Sequence, residues 1–433
     1  MRPGPSRRHF LCCGAALGAG LFSSLLAGCD GDTPLTNPCA GTLPRELAQH
    51  DRVLAAFAGI AAHRLVDTHA HLLGTGDSGS GCSVHPNMGY NPFEMLRKRA
   101  ILNAACVSGD APSVDRAYVE RLSQLMADFP AGARWWLFAF EHAHADDGRV
   151  EPDWTTIHVP DAYTREVCAA QPQRLNWVAS IHPYATDALS RLDAAIAAGA
   201  TGLKWLPSAM NIDLRDKRCK PVYERLAASG MPLIVHCGEE KAVPGARMHE
   251  LVNPLLVRVP LAAGVRTIVA HCASLGHAAD TDKPSRRDTA AFDLFMRVVG
   301  EADGQAVDAG RGPRLLADIS AVFQANREPK VWQAVVGDAT LHGRLLHGSD
   351  YPLPGLMPLF SLRKLQGAGL LDPAAIPTLN AIRRHNPLMF DFVLKRNLRL
   401  GSQSLPTSVF EAQALGPARS ARSSQTASVT RLT

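Results

Sequence analysis

Hydrophobic and polar positions alternate in blocks along this chain. A short apolar run is followed by a polar loop and then by a stretch of helical spacing, and the unit recurs. The runs that read as strands are "RLVDTHA" (64–70), "RWWLFAF" (134–140), "LNWVASIH" (175–182), "TGLKWL" (201–206), "PLIVHC" (232–237), "RTIVAHC" (266–272), "RLLADIS" (314–320) and "RLLHGSD" (344–350). They are apolar on both faces, as parallel strands covered by helices must be. Between them lie helical stretches such as "DALSRLDAAIAAGA" and "VYERLAASG", the second closing on Gly230 as a helix C-cap. Eight such units predict an α/β fold, a closed (β/α)8 or TIM barrel. An open doubly wound sheet is the alternative, but it does not usually gather polar residues at so many strand ends. Two extra helices, around 91–106 and 115–129, are expected between the first and second strands.

The ends have a different pattern. Residues 1–28 read as a signal peptide, 29–43 as a polar linker, 44–400 as the barrel, and 401–433, rich in Ser, Thr, Ala and Gln, as a disordered tail. "SRRHFL", with Arg7 and Arg8, resembles the twin-arginine export motif, and Leu26-Ala27-Gly28-Cys29 resembles a bacterial lipobox. The apolar run between them is short for a bilayer span and is interrupted by glycines. The resemblance implies a lipid on Cys29, a membrane tether through it on the periplasmic side, and, from Asp30, retention in the inner membrane. The formal charge of +5 resides in the signal and the tail, so residues 30–400 are close to neutral and offer no global basic footprint for nucleic acid. Ten cysteines lose Cys12 and Cys13 with the signal and Cys29 to lipid, and the odd remainder leaves at least one free thiol. Cys237 and Cys272 are expected to be buried thiols; Cys39 with Cys82, or Cys168 with Cys219, are candidate loop disulfides. No CxxC spacing suggests a thiolate metal site.

Composition does not account for the polar residues that end the apolar runs: His69 and His71, Lys204, His236, His271 and Asp350. Side chains alternate with period 2 along a strand, so His69 and His71 share a face. At the C-terminal end of a barrel strand that face is the mouth, where two neutral imidazoles can grip one divalent cation. A lone HxH is better explained by two hydrogen-bonded surface histidines, and any one of the others by a core histidine or a helix-capping aspartate. Together, polar ends of several strands converging on one mouth predict a metal site. His142 and His144 in "EHAH" are placed on the loop after the second strand, and His347 is aimed away from the mouth. His182 and Glu239 are candidate pocket residues, Glu240 shares the loop after His236, and Asp318 is a candidate partner for a ligand histidine. Trp205, Tyr184 and Tyr351 offer aromatic surface suited to a cyclic or aryl substrate. Long loops at 73–90, 141–170 and 207–221 would shape its entry.

These residues, in this order, resemble the amidohydrolase superfamily of metal-dependent hydrolases, in its amidohydrolase-related (amidohydrolase 2) branch. The matching elements are His69 and His71, Lys204 in "GLKWLPSA", His236 in "HCGEE", His271 in "AHCASLG", Asp350 in "GSDYP", and Asn386 in "RRHNPLMF". The resemblance covers about residues 64–395. It implies that His69, His71 and Asp350 ligate a first metal. His236 and His271 then either ligate a second one bridged by carboxylated Lys204, or divide, His236 joining the first metal and His271 orienting substrate. Lys204 could instead stay protonated and hold a substrate carboxylate. Asp350 would be the general acid-base, and zinc the expected metal, with manganese, iron or nickel fitting the same donors. The implied activity is hydrolysis of an amide, ester or lactone bond of a small molecule. The alternatives are a decarboxylase or hydratase of a carboxylated small molecule, and a ligand-binding lipoprotein without turnover. Homodimers are common among such relatives.

Overall fold

The computed structural model describes residues 35–243, 249–303 and 313–415. Eight parallel strands form its centre: β1 (Val66–His71), β2 (Arg134–Phe138), β3 (Leu175–Val178), β4 (Leu203–Trp205), β5 (Leu233–His236), β6 (Thr267–Ala270), β7 (Leu315–Asp318) and β8 (Leu345–Leu346). Neighbours pair in sequence order, β1 to β3 in one sheet and β4 to β8 in another. Parallel bridges Ala179–Leu203 and Ala70–Tyr351 join the two sheets at both seams, so the barrel closes as the sequence predicts. Helices α1 (Pro92–Ala104) and α2 (Val114–Ala127) intervene between β1 and β2. No helix of the described residues is long and apolar enough to cross a membrane.

The lumen is filled by alternate residues of the strands, Trp136, Phe138, Val178, Ile234, Ile268, Leu316 and Leu346, while the opposite faces pack under the helices. Strand β1 departs from simple alternation. Val66 pairs with Arg134 and Asp67 with Trp135, but Ala70 pairs with Leu137, so one extra residue bulges between them. Val66 packs on the lumen before the bulge, and His69 and His71 face it afterwards. Re-aiming side chains beside a site is a recurrent use of a bulge. The carboxylate of Asp67 holds the irregular backbone, accepting from the amides of His69 (3.0 Å) and Ser349 (2.9 Å).

Three expectations about the periphery need correction. Cys39 is disulfide-bonded to Cys106, not Cys82. Cys82, Cys168 and Cys219 are buried free thiols, as are Cys237 and Cys272. Residues 35–43 are therefore fastened to the end of α1, with Asn37 and Asn103 exchanging hydrogen bonds, and do not behave as a free linker. The tail is not disordered from 401 either. Leu405, Val409 and Phe410 are buried, Phe410 packs on His347 and Phe392, and Ala412 and Leu415 close over the lumen cluster. Apolar residues scattered in a polar composition were enough to dock this segment. The signal residues Arg7 and Arg8, the lipobox with Cys29 and Asp30, and the tail beyond 415 lie outside the described residues.

Candidate functional site

At the C-terminal ends of β1, β5 and β6 four imidazoles form one cluster, joined by Asp350 after β8. Ring centroids are 5.2 Å apart for His69 and His71, 4.7 Å for His69 and His271, and 5.1 Å for His236 and His271. The Phe138 ring lies against His69 and His71, and Lys204 Nζ sits 5.1 Å from its centroid. Asp350 Oδ1 is 3.1 Å from His71 Nε2 and 3.5 Å from His69 Nε2. Ligating atoms of His69, His271 and Asp350 all lie within 4.8 Å of one another.

Groups behind the rings fix which nitrogen faces the cavity. Asp318 Oδ2 accepts from His69 Nδ1 at 2.9 Å, leaving His69 Nε2 buried and without a hydrogen-bond partner. His271 Nδ1 donates to the Ser320 carbonyl at 3.0 Å, and its backbone amide donates to Asp318 Oδ1 at 3.1 Å. His236 Nδ1 lies 3.4 Å from Glu240, and His236 Nε2 is likewise without a partner. A ligand histidine normally has its other ring nitrogen held in this way. Two of the groups also sit on left-handed backbone, His271 at φ +55° and Asp350 at φ +59°, a conformation costly for residues with a Cβ and common at functional sites.

The electrostatics suit a cation. Burial lowers the pKa of His69, lowers His236 to about 4 and puts His271 well below the usual value, so these rings are neutral, the form that ligates metal. Burial pushes Asp350 up, but His271, His71 and His69 outweigh it and hold the carboxyl well below the usual range. Burial also depresses the Lys204 ammonium against the pull of Asp318 and Asp350. Orphaned ring nitrogens, neutral imidazoles and an ionised carboxylate at one point make a donor set that fits a divalent metal.

A cavity open to solvent rises from this cluster. His69, His71, Lys204, His236, His271 and Asp350 line its foot; Glu239 lines it too and pairs with Lys241 at 3.5 Å. His182 does not reach it: Nε2 donates to the Met210 carbonyl, Nδ1 accepts from Tyr184, and the ring stacks on His144. Trp205, Tyr184 and Tyr351 are buried off the cavity, whose walls are mainly aliphatic. Asn386 caps the helix after it and bonds Leu125 and Asp128, remote from the cluster in role. A second histidine group, Glu141 with His142 and His158, lies on the loops after β2. Arg191 already neutralises Glu141, and the two rings stack face to face at 3.7 Å. Sequence reasoning missed Asp67, Ser320, Gln324 and Arg327. Asp67 stands two residues before the HxH of His69 and His71, an aspartate just ahead of two histidines being the available signal.

A family model described as Amidohydrolase matches residues 66–377, which contain every residue of the cluster. The chain belongs to the amidohydrolase family. No curated protein matches this amidohydrolase. Among solved structures, an uncharacterised TIM-barrel protein of Bordetella bronchiseptica is 16% identical, with 72% of this chain and 94% of that one covered at a TM-score of 0.45. A 4-oxalomesaconate hydratase of Rhodopseudomonas palustris is 12% identical, covering 75% and 96% at a TM-score of 0.38. A manganese-containing 5-carboxyvanillate decarboxylase of Novosphingobium aromaticivorans is 12% identical, covering 71% and 97% at a TM-score of 0.38.

Proposed function

We propose that this amidohydrolase-family enzyme is a metal-dependent hydrolase that cleaves an amide, ester or lactone bond of a small molecule. The observation that carries the reading is the unpartnered His69 Nε2 with Asp350 Oδ1 3.5 Å away, at the foot of an open cavity. His69, His71 and Asp350 would hold a divalent cation there, zinc by preference, which would supply an acidified water, with a pKa of about 7, and polarisation of the bond under attack. His69, His71, His236 and His271 supply imidazole donors, and Asp350 accepts the proton of the attacking water and returns it to the leaving group. Lys204 divides a one-metal site from a two-metal one. Its burial favours the neutral amine, the form that adds CO₂ to become a bridging carbamate.

A second reading rests on the same lysine, which has no ion-pair partner among the described residues. Left protonated, Lys204 would hold a substrate carboxylate, and the reaction would be a decarboxylation or hydration. Elemental analysis of residues 30–433 beside Lys204→Ala tests the site. The expected result is two metals falling to one or fewer; one metal unchanged by the substitution favours the second reading, and none after reconstitution refutes both. A coupled bicarbonate assay separates hydrolysis from CO₂ release. Asp350→Asn abolishes turnover of an enzyme but spares the affinity of a mere binding protein.

The exported, lipid-anchored location is also proposed, supported by the export motifs and by a Cys39–Cys106 disulfide, which suits an oxidising compartment. Labelling with radioactive palmitate in a bacterial host should mark the wild type and not Cys29→Ala.

A further inference from the structure

The chemistry above leaves one cation of the cavity unused. Arg327 lies on the turn "VFQANRE" after β7, lines the cavity, and is only 9% exposed. Its Nε donates to Ser274 Oγ at 3.2 Å, and Nη1 donates to Gln324 Oε1 at 3.0 Å and to Asn326 Oδ1 at 2.5 Å. All three acceptors are neutral. Among the described residues no carboxylate forms an ion pair with this guanidinium, and Nη2 has no hydrogen-bond partner. Asp350, Glu240 and Glu239 act on it only from a distance, and a buried charge with no opposite charge in contact is costly to the fold. Lys241, another cation of the cavity, is by contrast paired with Glu239.

A second, independent observation comes from the neighbouring amide. Gln324 is 3% exposed and lines the same cavity; its oxygen is taken by Arg327, yet its Nε2 is buried with no partner among the described residues. One turn thus leaves two N–H donors unmet, one cationic and one neutral, on residues that both line the cavity. Two coplanar oxygens would satisfy both, and a guanidinium binds a carboxylate in this forked manner. Apart from Lys204 at the foot and Lys241, which Glu239 pairs, the wall is largely aliphatic, built from side chains such as Leu72, Leu73, Ile101, Leu206, Leu356 and Leu359.

We propose that Arg327 and Gln324 form a carboxylate subsite away from the reacting bond, and that the substrate is a monocarboxylic acid whose body is otherwise apolar. The identity of the bond cut rests on the hydrolase reading; the subsite does not. Calorimetric titration of the zinc-loaded protein with octanoate and with octanamide, its uncharged counterpart, tests it. Octanoate should bind at least tenfold more tightly in the wild type. In Arg327→Met the two should come within twofold of each other, with octanamide affinity and zinc content unchanged, and Gln324→Leu should weaken octanoate at least threefold.

Equal affinity in the wild type would overturn the proposal. So would a preference that survives Arg327→Met, which would put the anion on the cation or on Lys204. Should Arg327→Met fail to fold by near-ultraviolet circular dichroism, Arg327→Lys and Gln324→Leu decide, and an octanoate preference unaltered in both overturns it. Zinc content separates the two ideas: a protein that holds no metal sinks the hydrolase reading, while the octanoate preference and its dependence on Arg327 are still measured.

Discussion

Asp318 never touches the cavity, yet the geometry makes metal affinity depend on it. Its carboxylate is 1% exposed and accepts from His69 Nδ1 (2.9 Å), the His271 amide (3.1 Å), the Ser320 amide (3.1 Å) and the Ser320 hydroxyl. Asp318→Asn keeps the shape but removes the charge that places the proton on His69 Nδ1. The imidazole can then carry it on Nε2, where it has no lone pair for a metal. Losing a partner behind a ligand histidine typically costs 10- to 100-fold in metal affinity, about 1.4–2.7 kcal/mol. The same substitution removes a hydrogen bond to a charged group, lowering the stability of the metal-free protein by about 1.5–3 kcal/mol. Competition against a fluorescent zinc chelator measures the first and urea denaturation the second. A folded Asp318→Asn protein whose zinc affinity stays within twofold of wild type would refute the assignment of His69 Nε2 as a ligand.

Gly348→Ala would put a Cβ 2.6 Å from His69 Cβ and 3.2 Å from Ser320 Cβ, so it should cost about 1–3 kcal/mol by overpacking and at least tenfold in zinc affinity, read by the same two assays. Lys395→Met removes the Nζ that bonds the Gly348 carbonyl and Asp391, both at 2.6 Å, and strands a buried carboxylate; urea denaturation should show a loss of about 3–5 kcal/mol, mostly regained in Lys395→Met with Asp391→Leu. Burial holds His182 at about 3 and His158 at about 4, below the unfolded value of about 6.5, so the unfolded chain binds more protons on acidification. Their stability is fully present above about pH 6.5 and falls by about 1.4 kcal/mol per unit for each ring below it; denaturation midpoints of metal-saturated protein should drop from pH 6.5 to 5, with a shallower slope in His182→Gln.

The order of strands was legible because each is an apolar run ended by a residue of distinct chemistry. His69 and His71, Lys204, His236, His271 and Asp350 are therefore assignable to one mouth from the sequence. What was not legible depends on side-chain direction within an element. His182 ends an apolar run just as His236 does, but its two nitrogens are taken by backbone at Met210 and Tyr184. Trp205 adjoins Lys204 and so points outward by alternation, with its Nε1 on the Ile181 carbonyl. Arg327 and Gln324 occupy an irregular turn, where no periodicity states which side chain turns inward. The bulge in β1 is the sharpest case. Alternation correctly paired His69 with His71, but only the extra residue allows Val66 and these histidines to face the same lumen.

That bulge also explains why barrel closure and the metal site are one structural problem. Strand β8 contains only Leu345 and Leu346, too short to close the seam by regular pairing. The seam is made instead by the turn that carries Asp350. Thr68 donates through both its amide and its hydroxyl to the His347 carbonyl, the Asp350 amide donates to the His69 carbonyl, and the His71 amide donates to the Tyr351 carbonyl. Asp67 reaches across to the Ser349 amide, and Lys395 holds the Gly348 carbonyl from the outside. Ligand residues alternate with closing residues on both sides of this seam. The left-handed backbone at Asp350 is accordingly fixed by the pairing that completes the barrel, and that pairing aims its carboxylate at His69 and His71. A donor set held in place by the fold loses little freedom when it binds, which is the physical basis for expecting tight metal affinity from residues at the ends of four separate strands, β1, β5, β6 and β8.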